Sequence, residues 1–350
     1  MENIMAQEYY AETRSKYLDK LENILETFPE CGKAFIYSKS ASYKASTRFR
    51  YCEDLNVFFK FLIDAIPAAQ AYSSIKELPT KVIADITPEN IDHFMNYIER
   101  YEYDGVYYHN DQAAKKRKLA SLRSFYKFLF ARGLASSNPA ALVDSPKLNK
   151  KDIIALNHDD RASVIASVTR GQDLTPEELK KHAKKTTRDT AIIYLLLGTG
   201  IRVSELVGLD IKDVNIRDHR INIIRKGGNQ DHVYFNDEVR AMLELYMNGE
   251  RKTIIPVEKD KDALFISQKH ERISVSAVER LVKKYARGTQ FGDRVTPHKL
   301  RSSFATAAVY ENDLSAVAAA LGHQSSSTTA KYYTKVTEEA KRKVAQTDIE

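Results

Sequence analysis

Cysteine and long apolar runs are both scarce, and each shortage narrows the class of protein. Only Cys31 and Cys52 occur among 350 residues, and their spacing indicates neither a zinc site nor a disulfide framework. Such sparse cysteine is typical of a reducing compartment. No apolar stretch approaches the roughly 20 residues that a membrane-spanning helix needs, and the N-terminus has no hydrophobic signal region. We therefore expect a cytoplasmic protein.

Motifs for nucleotide and metal chemistry are also missing. Gly198 and Gly200 follow an apolar stretch rather than a strand, and the third glycine of a dinucleotide fingerprint is absent. No Gly-x4-Gly-Lys-Ser/Thr phosphate loop occurs. The nine histidines show no pairing of the His-Glu-x-x-His kind. We expect a reaction that uses no ATP, metal or other cofactor.

The charge balance favours a polyanionic partner. There are 54 Lys and Arg against 47 Asp and Glu, which gives a net charge of +7 and a pI near 9.0. This excess suits nucleic acid, although a mildly basic enzyme of another kind stays open. A chain of 350 residues is long enough for two domains with separate cores.

Helical periodicity dominates the first half. Residues 47–62 carry apolar side chains at helical spacing, and Thr87 followed by Pro88 is typical of a helix start. A third helix is predicted from about residue 113 to 131, with a basic face that is either simply solvated or laid on DNA phosphates. The candidate DNA contacts in this half are Lys44, Arg48, Lys116, Arg123 and Lys127.

A change of composition marks the domain boundary. Residues 136–139 (SSNP) and 145–151 (SPKLNKK) have the Ser, Pro and Lys content of a linker. We therefore predict a helical domain at 1–148, with 1–40 as an N-terminal extension, and a second domain at 149–350.

The second half combines helices with a small sheet. An apolar helix is predicted at 188–197, stopped by Gly198 and Gly200, and further helices around 275–281 and 304–321. Residues 220–225 and 232–235 alternate as the strands of a hairpin, with turn residues at 226–229. The predicted fold class is mainly α with a small β-sheet.

Several polar residues of this half are not required by packing, although each alone has an ordinary explanation. Arg202 could pair with Glu205, and a lysine at a hairpin tip, such as Lys226, is commonly exposed. His298 and Arg301, three apart, share one side of a helix if the segment is helical. His323 and the adjacent Tyr332 and Tyr333 stand in a polar segment near the end of the chain.

Taken in order, these residues resemble the tyrosine recombinases, the phage-integrase and Xer family. Residues 199–206 (TGIRVSEL) and 298–306 (HKLRSSFAT) are the specific matches, and Lys226 is a looser match to the family's hairpin lysine. Where the family commonly has a second histidine after the arginine, this chain has Ser302. The similarity extends over most of residues 45–336.

The resemblance implies a fold and a set of roles. It implies a helical core-binding domain and an α+β catalytic domain that clamp a double-stranded DNA recombination site. The nucleophile is generally nine residues after the Leu-Gly-His histidine, which selects Tyr332 over Tyr333. The implied catalytic residues are Arg202 and Arg301 as phosphate clamp, His298 as base, Lys226 as acid, His323 as donor to a non-bridging oxygen, and Tyr332 as nucleophile.

The implied reaction is strand cutting and rejoining through a 3′-phosphotyrosine, in integration, excision or resolution. Family resemblance also implies a dimer on each site and a tetramer in the synapse. Residues 337–346 have helical spacing and would dock on a neighbouring protomer, with a frayed or self-packed tail as the alternative. A type IB topoisomerase and a catalytically inactive DNA-binding protein are the alternative functions.

Overall fold

The computed structural model describes residues 4–103, 105–148, 154–183, 185–225 and 228–322. The chain folds as two compact units, residues 8–150 and residues 151–350, with residues 1–7 grouped with the second. We call them the N-terminal unit and the C-terminal unit. Within the described ranges, no helix combines the length and the apolar character that a membrane span requires.

The first part of the chain, through residue 148, is helical apart from one hairpin. The two strands of this hairpin pair antiparallel, with Arg100 opposite His109. The sequence did not predict it, because its strands are only four residues long. The elements are α1 (Ile4–Leu25), α2 (Glu30–Ser38), α3 (Ala45–Ala65), α4 (Thr80–Ala84), α5 (Pro88–Tyr97), β1 (Arg100–Tyr103), β2 (Val106–His109), α6 (Gln112–Ala131) and α7 (Pro139–Leu142).

The core of the N-terminal unit is built from the apolar faces that the sequence predicted. The predicted helices at 47–62 and 113–131 are confirmed as α3 and α6, which pack against each other. Phe58, Phe59 and Phe125 are fully buried, and the rings of Phe59 on α3 and Phe125 on α6 meet edge to face. Thr87 caps α5 by accepting from the Asn90 N–H, as its position before a proline indicated. Aromatic burial therefore stabilises this unit.

The C-terminal unit is mixed. Its three-stranded antiparallel sheet has the order β3-β4-β5, and β4 and β5 form the predicted hairpin, with Ile221 opposite Val233. The elements are α8 (His158–Arg170), α9 (Pro176–His182), α10 (Thr186–Thr199), α11 (Val203–Val207), β3 (Val214–Asn215), β4 (Arg220–Ile224), β5 (Gln230–Tyr234), α12 (Asp237–Asn248), α13 (Glu250–Thr253), α14 (Val275–Tyr285), α15 (Pro297–Glu311) and α16 (Leu314–Leu321).

Helix α10 is the centre of this unit, and it corrects one boundary. It packs against α8, α12 and α15, and it continues through Gly198 to Thr199. Gly198 does not stop the helix. A β-carbon there would lie 2.5 Å from Cγ2 of Val239, so the missing side chain lets α12 approach closely. The helix ends instead at Gly200, whose φ of 61° is left-handed.

The predicted helix at 304–321 is two helices. Asn312 and Asp313 adopt extended backbone angles between α15 and α16, and the Asp313 carboxylate accepts from the Ser315 N–H at 3.0 Å. Apolar residues on both sides still pack together, with Val309 against the Val317 and Leu321 of α16. The break returns α16 along α15 and brings the C-terminal end of α16 to Arg202 and Arg301.

Candidate active site

Arg202 is positioned by the turn that ends α10. The left-handed Gly200 turns the chain, and Arg202 becomes the N-cap residue of α11. The Glu205 carboxylate accepts from the Arg202 N–H at 3.0 Å and from its Nη1 at 2.9 Å. The ion pair expected as the ordinary role of Arg202 is therefore present. It also fixes the direction of a guanidinium whose side chain is one-third exposed.

Arg301 and His298 both belong to the first turns of α15. Pro297 begins this helix, so His298 and Arg301 lie on one side of it, as the three-residue spacing predicted. Arg301 is buried, with 4% of its surface exposed. Its Nη1 donates to the Gly200 carbonyl at 2.5 Å, and its Nη2 donates to the Leu321 carbonyl. The structure thus joins two segments that are about 100 residues apart.

The C-terminal end of α16 is where the two arginines meet. Arg202 Nη2 donates to the Gly322 carbonyl at 3.2 Å, next to the Leu321 carbonyl that Arg301 binds. The last carbonyls of a helix lack intrahelical partners and carry partial negative charge, which guanidinium groups stabilise. Gly322 ends the helix in the left-handed conformation, with φ 60°. Two forked cations are therefore held side by side, with Arg202 partly open to solvent.

His298 is set to be neutral near pH 7. Partial desolvation, followed by the positive charges of Lys299, Arg301 and Arg202, lowers the pKa of its imidazole from the ordinary value of 6.5. The side chain remains accessible to solvent. A neutral imidazole beside two guanidiniums can accept a proton from a group that the cations also attract.

Three predicted catalytic residues fall outside the described part of the chain. They are Lys226, His323 and Tyr332, together with the alternative nucleophile Tyr333. Described residues adjoin two of these places: Arg225 and Gly228 lie on either side of residues 226 and 227, and Gly322 directly precedes His323.

One buried arginine beside this site was not predicted. Arg225 is 9% exposed and donates to acceptors on α11, β5 and α16. A sequence signal was available, because Arg225 follows Ile221 and Ile223 at a spacing of two and so continues the buried face of β4. A buried guanidinium needs several partners, and these are brought together only by the tertiary fold.

The candidate DNA contacts divide into two groups. Lys44, Lys116 and Lys127 are exposed. Arg48 is buried at 9% exposure, and the Arg123 guanidinium donates to the carbonyls of Ala140 and Val143 and to a serine hydroxyl. Both arginines therefore contribute to packing within the N-terminal unit, which the helical spacing of basic residues could not reveal.

Comparison with solved structures identifies the class of fold. The structure of the XerH site-specific recombinase bound to palindromic difH substrate, in a post-cleavage complex, aligns with a TM-score of 0.61 and 20% identity over 84% of this chain and 78% of that one. The fold is that of the tyrosine recombinases.

Sequence relatives are consistent with this class. The chain is 32% identical to the tyrosine recombinase XerC of Caldanaerobacter subterraneus, over 81% of this chain and 76% of that protein. It is 30% identical to the tyrosine recombinase XerS of Streptococcus gordonii, over 94% of this chain and 98% of that protein. The phage integrase family matches residues 173–340. The chain belongs to the tyrosine recombinases of this family, enzymes of site-specific DNA recombination.

Proposed function

We propose that the C-terminal unit cuts and rejoins DNA strands through a 3′-phosphotyrosine, with Tyr332 as the nucleophile. The observation that carries this proposal is the convergence of Arg202 and Arg301 on one end of α16, beside His298. The segment that bears His323 and Tyr332 continues from this end of the helix. Nucleophile and cations would then meet at one place.

The two arginines suit a phosphodiester. The non-bridging oxygens of the scissile phosphate are anionic and gain charge in the transition state, so forked N–H donors stabilise them more as the reaction proceeds. Arg202 and Arg301 supply those donors, and His323 adds one to a non-bridging oxygen. Arg202 Nη2 and the two Arg301 Nη atoms donate to backbone carbonyls in this structure, so these donors would exchange carbonyl oxygens for phosphate oxygens when DNA binds.

Proton transfer assigns the remaining roles. A tyrosine hydroxyl with a pKa of about 10 needs a base before it attacks, and neutral His298 accepts its proton. The Tyr332 oxygen bonds to phosphorus while the bond from phosphorus to the 5′-oxygen breaks, and Lys226 gives a proton to that oxygen. The products are a 3′-phosphotyrosine and a free 5′-hydroxyl.

Strand exchange is the reverse of this step on a new partner. The phosphotyrosine retains the bond energy of the original phosphodiester, so the 5′-hydroxyl of a second strand attacks it without an added energy source. Tyr332 then leaves and recovers its proton. Nothing in this chemistry requires ATP or a metal ion.

The substrate we propose is a double-stranded recombination site, bound by a dimer and joined to a second site in a tetramer. The palindromic substrate of XerH is consistent with two protomers related by symmetry. Residues 337–346 would dock on the neighbouring protomer, which couples the position of Tyr332 to assembly. Exposed Lys44, Lys116 and Lys127 of the N-terminal unit would contact phosphates.

Two substitutions that each remove one tyrosine hydroxyl test the assignment of the nucleophile. We expect Tyr332→Phe to abolish the covalent protein–DNA complex on a nicked duplex, measured by denaturing gel, and Tyr333→Phe to retain it. The duplex carries the sequence that the wild-type protein selects from a randomised library. Loss of the complex in Tyr333→Phe with retention in Tyr332→Phe would reverse the assignment.

A plasmid assay tests strand exchange itself. Supercoiled plasmid with two selected sites should give recombined circles with the wild-type protein, whereas a topoisomerase would only relax it. A protein that binds without cutting would leave the plasmid supercoiled. Recombination should require both sites, and a plasmid with one site is the control.

A further inference from the structure

The backbone of Arg225 closes the turn of the β4–β5 hairpin. Its N–H donates to the Asn229 carbonyl at 2.8 Å, and its carbonyl accepts from the Gly228 N–H at 3.1 Å. Residue 226 follows directly in the sequence, so Arg225 is the last described residue before the predicted general acid. Arg225 therefore joins the end of β4 to the residues that lead into β5.

The side chain of the same residue anchors the turn to three other elements. Its Nε donates to the Asp231 carboxylate of β5 at 2.8 Å, and its Nη2 donates to the Ala320 carbonyl of α16 at 2.9 Å. Nη1 lies 3.4 Å from Glu205 Oε2 of α11 and 3.3 Å from the Leu321 carbonyl. With four acceptors, the guanidinium has little freedom to rotate.

Two of these partners already belong to the candidate active site. Glu205 is the carboxylate that orients Arg202, and Leu321 is the residue whose carbonyl Arg301 binds. Arg225 therefore shares one partner with each clamp arginine. Burial alone would raise the pKa of Asp231, but the hydrogen bonds from Arg225 and the His232 N–H outweigh it and hold that pKa below its usual value.

Gly322 shows how closely α16 approaches this arginine. A β-carbon on Gly322 would lie 2.7 Å from the Arg225 Nε and 2.8 Å from its Cζ. The guanidinium therefore fills the space that a side chain on Gly322 would occupy. The end of the helix and the base of the hairpin are in direct contact.

We propose that Arg225 is a positioning residue for strand cleavage: directly before Lys226 in the chain, it anchors the base of the β4–β5 hairpin against the end of α16 and the Glu205–Arg202 pair. This inference rests on the proposed function, since it assigns Lys226 as the group that protonates the leaving 5′-oxygen. In this role Arg225 would affect the reaction only through the placement of Lys226.

The leaving group provides a test that a general loss of structure would not mimic. When sulfur replaces the 5′-bridging oxygen of the substrate, the leaving group departs as a thiolate and needs no proton. General-acid catalysis raises a reaction rate by roughly 10²- to 10⁴-fold. We expect Arg225→Gln to lower the rate of cleavage of the ordinary nicked duplex by about 10- to 100-fold. On the sulfur substrate of the same selected sequence, most of that loss should disappear.

Four comparisons make the result specific. Lys226→Ala should show the same rescue, and Arg202→Ala should show none, because its defect is at the non-bridging oxygens. Arg225→Lys should stay impaired, since an ammonium cannot reach four acceptors in the fork of a guanidinium. Arg240→Gln, which removes a half-buried arginine paired with Asp237 in the same unit, should cleave both substrates like the wild type.

The outcomes separate this inference from the proposed function. An Arg225→Gln defect of equal size on both substrates, or no defect, would overturn the positioning role. The proposed chemistry would still be supported if the wild-type protein forms the covalent complex through Tyr332. If Arg225→Gln fails to fold, Asp231→Asn replaces it, because it weakens the same anchor at a half-exposed carboxylate. Its smaller defect should also be rescued by sulfur, and an unrescued defect would count against the role.

Discussion

The Glu205 carboxylate binds Arg202 twice, through the backbone N–H at 3.0 Å and through Nη1 at 2.9 Å. Glu205 is only 3% exposed, so these bonds form in an environment of low dielectric. The same carboxylate begins helix α11 and orients a guanidinium toward the end of α16. A single buried acid thus links local helix capping to the geometry of the two arginines.

Replacing this acid with its amide should separate binding from cleavage. In Glu205→Gln an acceptor remains for the backbone N–H, but the charge that orients Arg202 is lost. Misplacement of a reacting group by about 1 Å can cost on the order of 100-fold, and we expect a 10- to 100-fold lower rate of covalent-complex formation. Gel-shift affinity for the selected duplex should change little, and a parallel fall in affinity would contradict this role.

Alanine at Gly200 should destabilise the C-terminal unit more than alanine at Gly292. Both residues have positive φ, which costs a side chain about 1–2 kcal/mol. At Gly200 the added carbon would also lie 2.6 Å from Cδ1 of Phe304, whereas Gly292 faces open space. We expect a loss of about 3 kcal/mol in the free energy of unfolding for Gly200→Ala and about 1 kcal/mol for Gly292→Ala. Equal losses in denaturant titrations would show that the close packing is unimportant.

Protonation of His298 should lower both the stability of the protein and the rate of cleavage at acid pH. Its pKa is lowered in the folded protein, so the unfolded state binds the proton more readily and stability falls as pH drops below 6.5. The neutral base is lost in the same direction, so the single-turnover rate should also fall with pH. NMR titration of the free protein should give a midpoint below 6.5. His298→Gln should remove that titration and flatten the acid limb of the rate.

The two exposed lysines of α6 should contribute to phosphate binding. Lys116 and Lys127 are eleven residues apart and so share one face of the helix. Because each phosphate contact adds about −0.9 to the slope of log affinity against log salt, the double glutamine variant should reduce that slope by about 1.8. The control is Lys81→Gln, which removes an exposed lysine of α4 that pairs with Asp85. An unchanged slope would remove these lysines from the interface.

The C-terminal segment should act between protomers. Truncation after Lys335 removes the predicted helix at 337–346, and we expect weaker loading of the second protomer because the proposed head-to-tail contact is lost. Binding of one protomer to a half-site should persist, and recombination should fall. A gel-shift titration measures both steps, and unchanged cooperativity would argue against docking in trans.

Local patterns determined much of the architecture. The apolar spacing in α3 and α6, the Thr87-Pro88 start of α5 and the alternating strands of the β4–β5 hairpin each depend on interactions between near neighbours, so the sequence shows them directly. The motifs around Arg202 and Arg301 likewise identified the family, because their residue types and spacing are specific. The short β1–β2 hairpin escaped prediction, since four-residue strands provide little periodicity.

Tertiary packing decided what each polar side chain does. Basic spacing placed Arg123 with Lys116 and Lys127, but only the fold shows that Arg123 binds the Ala140 and Val143 carbonyls. The prediction that Gly198 stops α10 was wrong for the same reason. The glycine is needed there because Val239 of the distant helix α12 packs too closely for a side chain. A guanidinium takes whichever acceptors the folded chain brings within reach, and those acceptors are far away in sequence. The sequence therefore determined the longer elements and the residue types of the candidate site, whereas only the tertiary structure decided that Arg225 joins the hairpin to the end of α16.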